Sequence, residues 1–166
     1  TGANADDKPI KLKLASVSAP SGQVLDSDGV QWWMDKVTER TKGRVTFETF
    51  WGASLAAPVA HLDILQKGLV DIVLGCRIYT PGKTPLGPYH YVLPFGPTDM
   101  NLVNKATRQM YEEIPAFREE LAKQNAVLIA NFVTMPCDMI SKSPVTNLAG
   151  MKGKKIGRDE VIEKFG

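Results

Sequence analysis

The chain is poor in cysteine and histidine, with two of each in 166 residues. Cys76 and Cys137 lie far apart and neither has a CxxC partner, so no disulfide framework is written into the sequence. The pair allows either one disulfide or two separate buried thiols. His61 and His90 have no second His or Cys at ligand spacing, which excludes a motif-built metal site. No apolar run approaches the roughly 18 residues that a membrane-spanning helix requires. A dominant charge is missing too: Lys+Arg is 20 against 18 for Asp+Glu, a formal net charge of +2. The basic residues scatter, apart from Lys152, Lys154, Lys155 and Arg158. Nucleic-acid binders concentrate basic charge on one face, so that class is excluded. There is no GxSxG elbow, no GxxxxGK[ST] phosphate loop and no GxGxxG. What remains is 43% hydrophobic and 23% charged, the composition of a folded globular protein rather than a disordered or collagenous one.

Periodicity supplies the elements. The first residues, Thr1 to Pro9, read as a short polar leader. Ile10 to Val17 alternates apolar and polar residues, the pattern of a strand. Asp26, Ser27 and Asp28 offer N-caps to a helix whose Val30, Trp33, Met34 and Val37 share one face. Trp33 is expected in the core and Trp32, one step round, partly exposed. Lys42-Gly43 closes that helix, and Arg44 to Phe50 alternates again as a second strand. Pro58 opens a helix ending near Lys67-Gly68, with Val59, Leu62 and Leu65 on its buried side. Leu69 to Leu74 reads as a buried parallel strand, in which a buried Asp71 would need a partner.

The stretch from Tyr79 to Pro97 holds five prolines and reads as a long irregular connection. Asp99 caps a helix carrying Leu102, Val103, Ala106 and Met110, interrupted or restarted at Pro115, with Phe117 and Leu121 continuing the apolar side. Ala126 to Val133 is expected as another buried strand, extended at Met139 to Ser141. Asn147 to Gly153 reads as a turn, Lys154 to Gly157 as a short strand and Glu160 to Phe165 as a helical turn. Strands alternating with helices imply an α/β fold with a parallel sheet.

In such a sheet, ligands sit beyond the carboxyl ends of the strands. Those ends are Ser16 to Ser18, Trp51, Cys76 to Tyr79 and Thr134 to Asp138. Cys76 fits either a small side chain at a strand end or a nucleophile, and a nucleophile would need a histidine beside it, with His61 on the preceding helix. Trp51, Tyr79, Tyr89, Tyr91 and Phe95 fit either a ligand cleft or packing of the connection onto the sheet. Arg77, just past a strand end, fits either an anion contact or a solvated surface cation.

Four segments carry a resemblance. Thr41-Lys-Gly-Arg-Val45, followed by Phe50-Trp51 and Ser54-Leu55, is similar to a helix end, strand and loop of the extracytoplasmic solute-binding proteins of TRAP transporters, the DctP type. Leu65-Gln-Lys-Gly-Leu-Val-Asp-Ile72, Leu93-Pro-Phe95 and Leu148-Ala-Gly-Met-Lys-Gly-Lys-Lys-Ile156 resemble three further elements of that family, in the same order. The resemblance covers Ile10 to Ile156. It implies a type II periplasmic-binding-protein-like α/β fold, with two domains around a ligand cleft. Residues 1–130 would form the first part of domain I and 131–166 the beginning of domain II, so the chain stops early in the second domain.

The function implied is non-enzymatic. A periplasmic receptor binds a small organic acid and delivers it to the membrane permease subunits of a TRAP transporter, with no cofactor, no metal, no nucleic acid and no membrane insertion. The expected ligand-binding residues are Trp51, Tyr79 and Phe132 as cleft walls, Ser18 and Cys76 as small polar contacts, and Arg77 or Arg158 as the cation. The family's carboxylate-gripping arginine follows the last segment directly; here Gly157 holds that place and Arg158 comes next. The family's basic position in the preceding strand falls near Cys137. Rival readings are an α/β enzyme using Cys76 or Cys137, and a sensing module that reports ligand to a signalling partner.

Overall fold

The computed structural model describes residues 8–75, 77–89, 97–131, 141–142 and 144–153. Its frame is a three-stranded parallel sheet in the order β2-β1-β3. The strands are β1 (Ile10–Ser16), β2 (Val45–Phe50) and β3 (Ile72–Leu74). β1 pairs with β2 along Ile10↔Val45 to Ala15↔Phe50, and with β3 along Leu14↔Ile72 to Ser16↔Leu74. Parallel neighbours need crossovers, and helices α1 (Leu25–Arg40) and α2 (His61–Gln66) supply them.

The register explains the burial of β1. Leu14 and Ala15 are paired on both sides, Ser16 is paired with β3 and accepts from the Ala53 amide through its carbonyl, and all three are at most 1% exposed. Its first half is flanked by β2 alone and is exposed except at Leu12, which is half-buried. β3 is shorter than the apolar run Leu69–Leu74. Gly68, at φ 67°, ends the preceding helical turn, and Val70 is buried outside any strand. Asp71 is exposed, yet it has a partner: its carboxylate accepts from the Lys13 amide at 2.8 Å.

Helix α1 buries Met34 and tilts the Trp33 ring onto Phe47, with centroids 5.4 Å apart. Trp33 is half-buried and Trp32 is exposed. The expected caps are corrected. Val24 is the N-cap and its side chain makes no cap bond. Asp28 instead accepts from the Gly22 amide (2.6 Å) and the Ser21 hydroxyl (2.8 Å), while the Ser27 hydroxyl donates to the Ala19 carbonyl. One turn inside the helix, these side chains brace the loop rather than start the helix. The helix ends through Lys42 (φ 52°) and Gly43 (φ 78°), and the Gly43 amide reaches back to the Thr38 carbonyl at 2.8 Å.

Pro58 opens a 3₁₀ turn (Pro58–Ala60) that runs into α2. Leu62 and His61 are buried there, whereas Val59 is exposed and so is not on the buried side. The Lys83 ammonium pairs with Asp63 and, through that hydrogen bond first, holds the Asp63 carboxyl below the usual aspartate range.

A second cluster forms between α3 (Met100–Glu113) and α4 (Pro115–Ala122). Asp99 caps α3, its carboxylate accepting from the Asn101 and Leu102 amides. Pro115 takes the first position of α4. Tyr111, Phe117 and Leu121 form the buried centre, with Leu86, Tyr89, Met110 and Leu128 packed around it. The buried face of α3 is turned from the expected one: Thr107 and Tyr111 are inside, and Leu102 is 53% exposed. Tyr89 of the proline-rich connection accounts for this, because its hydroxyl bonds the Thr107 hydroxyl, a polar partner on the helix. Residues 126–131 carry no strand, which corrects the part of Ala126 to Val133 that the structure describes. The expected turn at Asn147 to Gly153 contains a 3₁₀ helix, Leu148–Met151. The expectations for Met139 and Ile140 and for residues 154–166 lie outside the described residues.

Candidate functional site

Because all three strands are parallel, their carboxyl ends share one edge of the sheet, the edge where open α/β sheets hold ligands. Ser16, Trp51 and Gly75 stand there. The β2 end is tied to the β1 end by two backbone hydrogen bonds, Gly52 amide to Ser18 carbonyl (2.7 Å) and Ala53 amide to Ser16 carbonyl (2.9 Å). The chain can make both because it reverses at Trp51–Ser54, where the Ser54 amide bonds the Trp51 carbonyl at 3.1 Å. Both central residues of this turn have positive φ, Gly52 at 62° and Ala53 at 55°. An alanine in that region is strained, and the two cross-loop bonds hold it there. Ser16, fully buried, accepts from the Ser18 amide through its hydroxyl at 3.0 Å.

On the β3 side, Gly75 sits at φ 73°, and a β-carbon there would lie 3.5 Å from Val17. A 3₁₀ turn (Arg77–Tyr79) follows. Tyr79 is exposed. The Arg77 guanidinium carbon lies 5.1 Å from the centre of the Tyr111 ring. The Arg77 Nη1 is buried there. The aliphatic part of Arg77 is seated against Gly87: a β-carbon at position 87 would lie 2.7 Å from the Arg77 Cβ. Gly87→Ala is therefore expected to displace Arg77 and to destabilise by about 1–3 kcal/mol as an overpacked site; urea unfolding, with Arg77→Gly, which removes the β-carbon itself, as the background that relieves this contact, measures it.

Glu120 completes this side. One oxygen accepts from the Leu86 amide at 2.6 Å; the other, like the Tyr111 hydroxyl, is buried with no hydrogen-bond partner among the described residues. Sequence reading did not single out Glu120, Tyr111, Gly87 or the Gly52-Ala53 turn. A signal existed for Glu120, which sits three residues after Phe117 on the apolar side of α4.

The loop leading from β1 into α1 borders the same edge. Hydrogen bonds from the Gly22 amide and then the Ser21 hydroxyl hold the Asp28 carboxyl below the usual aspartate range. A carboxyl lowered in the folded state supports the loop above that range and loses this support as pH falls through its lowered value. Amide exchange at Gly22 should accordingly quicken only in acid below the ordinary aspartate range, and Asp28→Asn should remove that pH dependence.

Of the expected site residues, Ser18, Trp51, Arg77 and Tyr79 lie at or beyond strand ends on the shared edge. Cys76, Phe132 and Arg158, with Cys137 and His90, lie outside the described residues. His61 is fully buried, and its Nε2 lies 3.0 Å from the Ala56 carbonyl. A carbonyl only accepts, so Nε2 donates and the ring anchors the loop before α2. Among the described residues, no three His, Cys, Asp or Glu side chains gather as a metal site, and no helix is long and apolar enough to cross a membrane. Two surface depressions lie elsewhere, one over Trp32, Trp33, Lys36 and Val37 on α1, the other at Ala122 to Val127. Neither is at the strand ends, so the topology of the sheet carries the choice of site.

The sequence profile of the bacterial extracellular solute-binding protein family 7, the DctP family, matches residues 16–159. Among solved structures the chain is similar to a marine metagenome TRAP solute-binding protein specific for aromatic acid ligands, in complex with 3-hydroxybenzoate. The identity is 24%, the TM-score 0.58, and the match covers 69% of this chain and 35% of that one. It is also similar to a TRAP periplasmic solute-binding protein from Desulfovibrio salexigens in an open complex, at 25% identity and TM-score 0.56 over 68% of this chain and 34% of that one. A third similar structure is a TRAP solute-binding protein from Rhodoferax ferrireducens with copurified benzoate, at 25% identity and TM-score 0.54 over 67% and 34%. The chain thus spans about a third of the length of these relatives. They are type II periplasmic binding proteins, solute receptors rather than enzymes, and this chain shares their α/β fold class. A profile match over that much of the sequence leaves one assignment: the chain belongs to the bacterial extracellular solute-binding protein family 7.

Proposed function

We propose that this chain is part of a periplasmic receptor that binds a small organic acid at the carboxyl edge of its parallel sheet and delivers it to the permease subunits of a TRAP transporter. The observation that carries this reading is the braced edge itself. Three parallel strands end together, and the β1 and β2 ends are locked by the Gly52–Ser18 and Ala53–Ser16 hydrogen bonds. A rigid edge of this kind holds ligand contacts in place before binding, which reduces the ordering cost of association.

In this reading Trp51, Tyr79 and Phe132 wall the cleft, Ser18 and Cys76 give small polar or backbone contacts, and Arg77 or Arg158 meets the carboxylate. Residues 1–130 belong to the first domain and 131–166 begin the second, so that the ligand lies between domains and closure on it is the signal a permease reads. The similar proteins named for aromatic acids and for copurified benzoate support a carboxylate ligand.

Calorimetric titration of the complete protein against a set of aliphatic, sugar and aromatic acids tests the proposal. Saturable one-to-one binding of at least one acid is expected. No heat with any acid, from protein whose melting transition is intact, contradicts it.

A further inference from the structure

The loop that leaves β2 is braced to β1 at its start, and a single side chain holds its far end. His61 opens α2 and is fully buried. Its Nε2 donates to the carbonyl of Ala56, five residues back in that loop, at 3.0 Å. Among the described residues no other side chain bonds the backbone of residues 54–57, and the His61 Nδ1 is buried with no hydrogen-bond partner. A buried polar atom left unpaired costs about 1–3 kcal/mol, and a leucine in the same place would not incur that cost. What the histidine adds over a leucine is the one Nε2–H donor.

That donor acts on the strand-end edge through the chain. Ala56 lies three residues after Ala53, a reach of at most about 11 Å. Ala53 holds a φ of 55° while its amide bonds the Ser16 carbonyl. Fixing Ala56 therefore narrows the paths open to the Trp51–Ser54 turn. Helix α2 in turn packs on β3. One hydrogen bond thus ties the loop after β2 to the β3 side of the sheet, and with the two cross-loop bonds it braces all three strand ends.

Resting on the receptor reading above, we infer that His61 is a positioning residue for the ligand: without touching the acid, it holds the Trp51–Ser54 turn in the form that receives it. The test compares the complete protein with His61→Leu and with His61→Gln, whose Nε2 is a donor at nearly the same reach. In His61→Leu, hydrogen–deuterium exchange at the Gly52 and Ala53 amides should quicken about 2- to 10-fold, the range of one neutral hydrogen bond. Calorimetric affinity for the acid that binds best should fall within the same range. The amides of Tyr111 to Leu121 should keep their rates, and His61→Gln should restore both quantities. In the unaltered protein, the nitrogen NMR spectrum in mildly alkaline buffer should show His61 with its proton on Nε2, a result that needs no variant to fold. Unchanged exchange at Gly52 and Ala53 in His61→Leu, quickening that spreads equally to Tyr111 to Leu121, a glutamine that restores neither quantity, or a proton on Nδ1 each overturns the positioning role. So does unaltered acid affinity in His61→Leu, which leaves the receptor reading standing. Failure of every acid on the unaltered protein overturns the receptor reading and the ligand role of His61 together.

Discussion

Phe117→Ala should lower the stability of the protein by about 3–5 kcal/mol, the range for removing a buried aromatic ring. Phe117 is 6% exposed and sits between two other rings, 5.0 Å from Tyr111 and 6.0 Å from Tyr89, both close to edge-on. Its loss removes both edge-to-face contacts and opens a cavity beside Leu121 and Leu86. The walls cannot close it, because Tyr89 is tied to Thr107 and Glu120 to the Leu86 amide. The consequence extends to the candidate site. Tyr111 supports the Arg77 guanidinium, so a cluster that loosens releases the turn after β3. Urea unfolding at constant slope measures the stability term. A change below about 1 kcal/mol would mean that this cluster does not hold α3 against α4.

Leu14→Ala should cost about 2–5 kcal/mol. Leu14 is 1% exposed and is the first residue of β1 to be paired on both sides, with Thr49 of β2 and Ile72 of β3. The residues that follow it are the fully buried Ala15 and Ser16 and then the strand end. Leu14→Ile, which conserves volume, should cost less than about 1.5 kcal/mol. The contrast between the two substitutions separates packing from backbone propensity, since isoleucine is the better strand residue. Equal losses would point to the backbone of the central strand rather than to the cavity.

How much of this was legible in the residues depended on whether a signal was local. The alternation in Ile10 to Val17 and Arg44 to Phe50 gave β1 and β2 nearly to the residue, and Pro58, Asp99 and Pro115 marked helix starts correctly. A strand, however, is made by its neighbours. Leu69 to Leu74 looks uniformly strand-like, but pairing with β1 begins only at Ile72. Val127 and Ile129 are typical strand residues, yet they are 81% and 60% exposed in a segment without a strand. Side chains that serve a loop were equally opaque. Asp28 and Ser27 have the chemistry of helix caps, and only the path of residues 19–22 reveals what they bind.

The candidate site divides the same way. Parallel topology, readable from the alternation of strands and helices, places Ser18, Trp51 and Tyr79 at one edge. The turn that pins Ala53 to Ser16 left no trace in residue type, because alanine does not announce a positive φ. The seat of Arg77 against Gly87 and Tyr111 joins residues ten and more positions apart, with nothing periodic to mark it.

The measurement that bears most directly on the central claim is hydrogen–deuterium exchange of the complete protein, with and without the tightest-binding acid of the panel. If the carboxyl edge of the sheet is the binding site, ligand slows exchange at the Ser18, Gly52, Ala53 and Gly75 amides. The amides of Tyr111 to Leu121, in the cluster behind, change less. Unchanged exchange at those four amides under saturating ligand, with protection appearing instead on α1 around Trp32 and Lys36, would contradict the placement of the site.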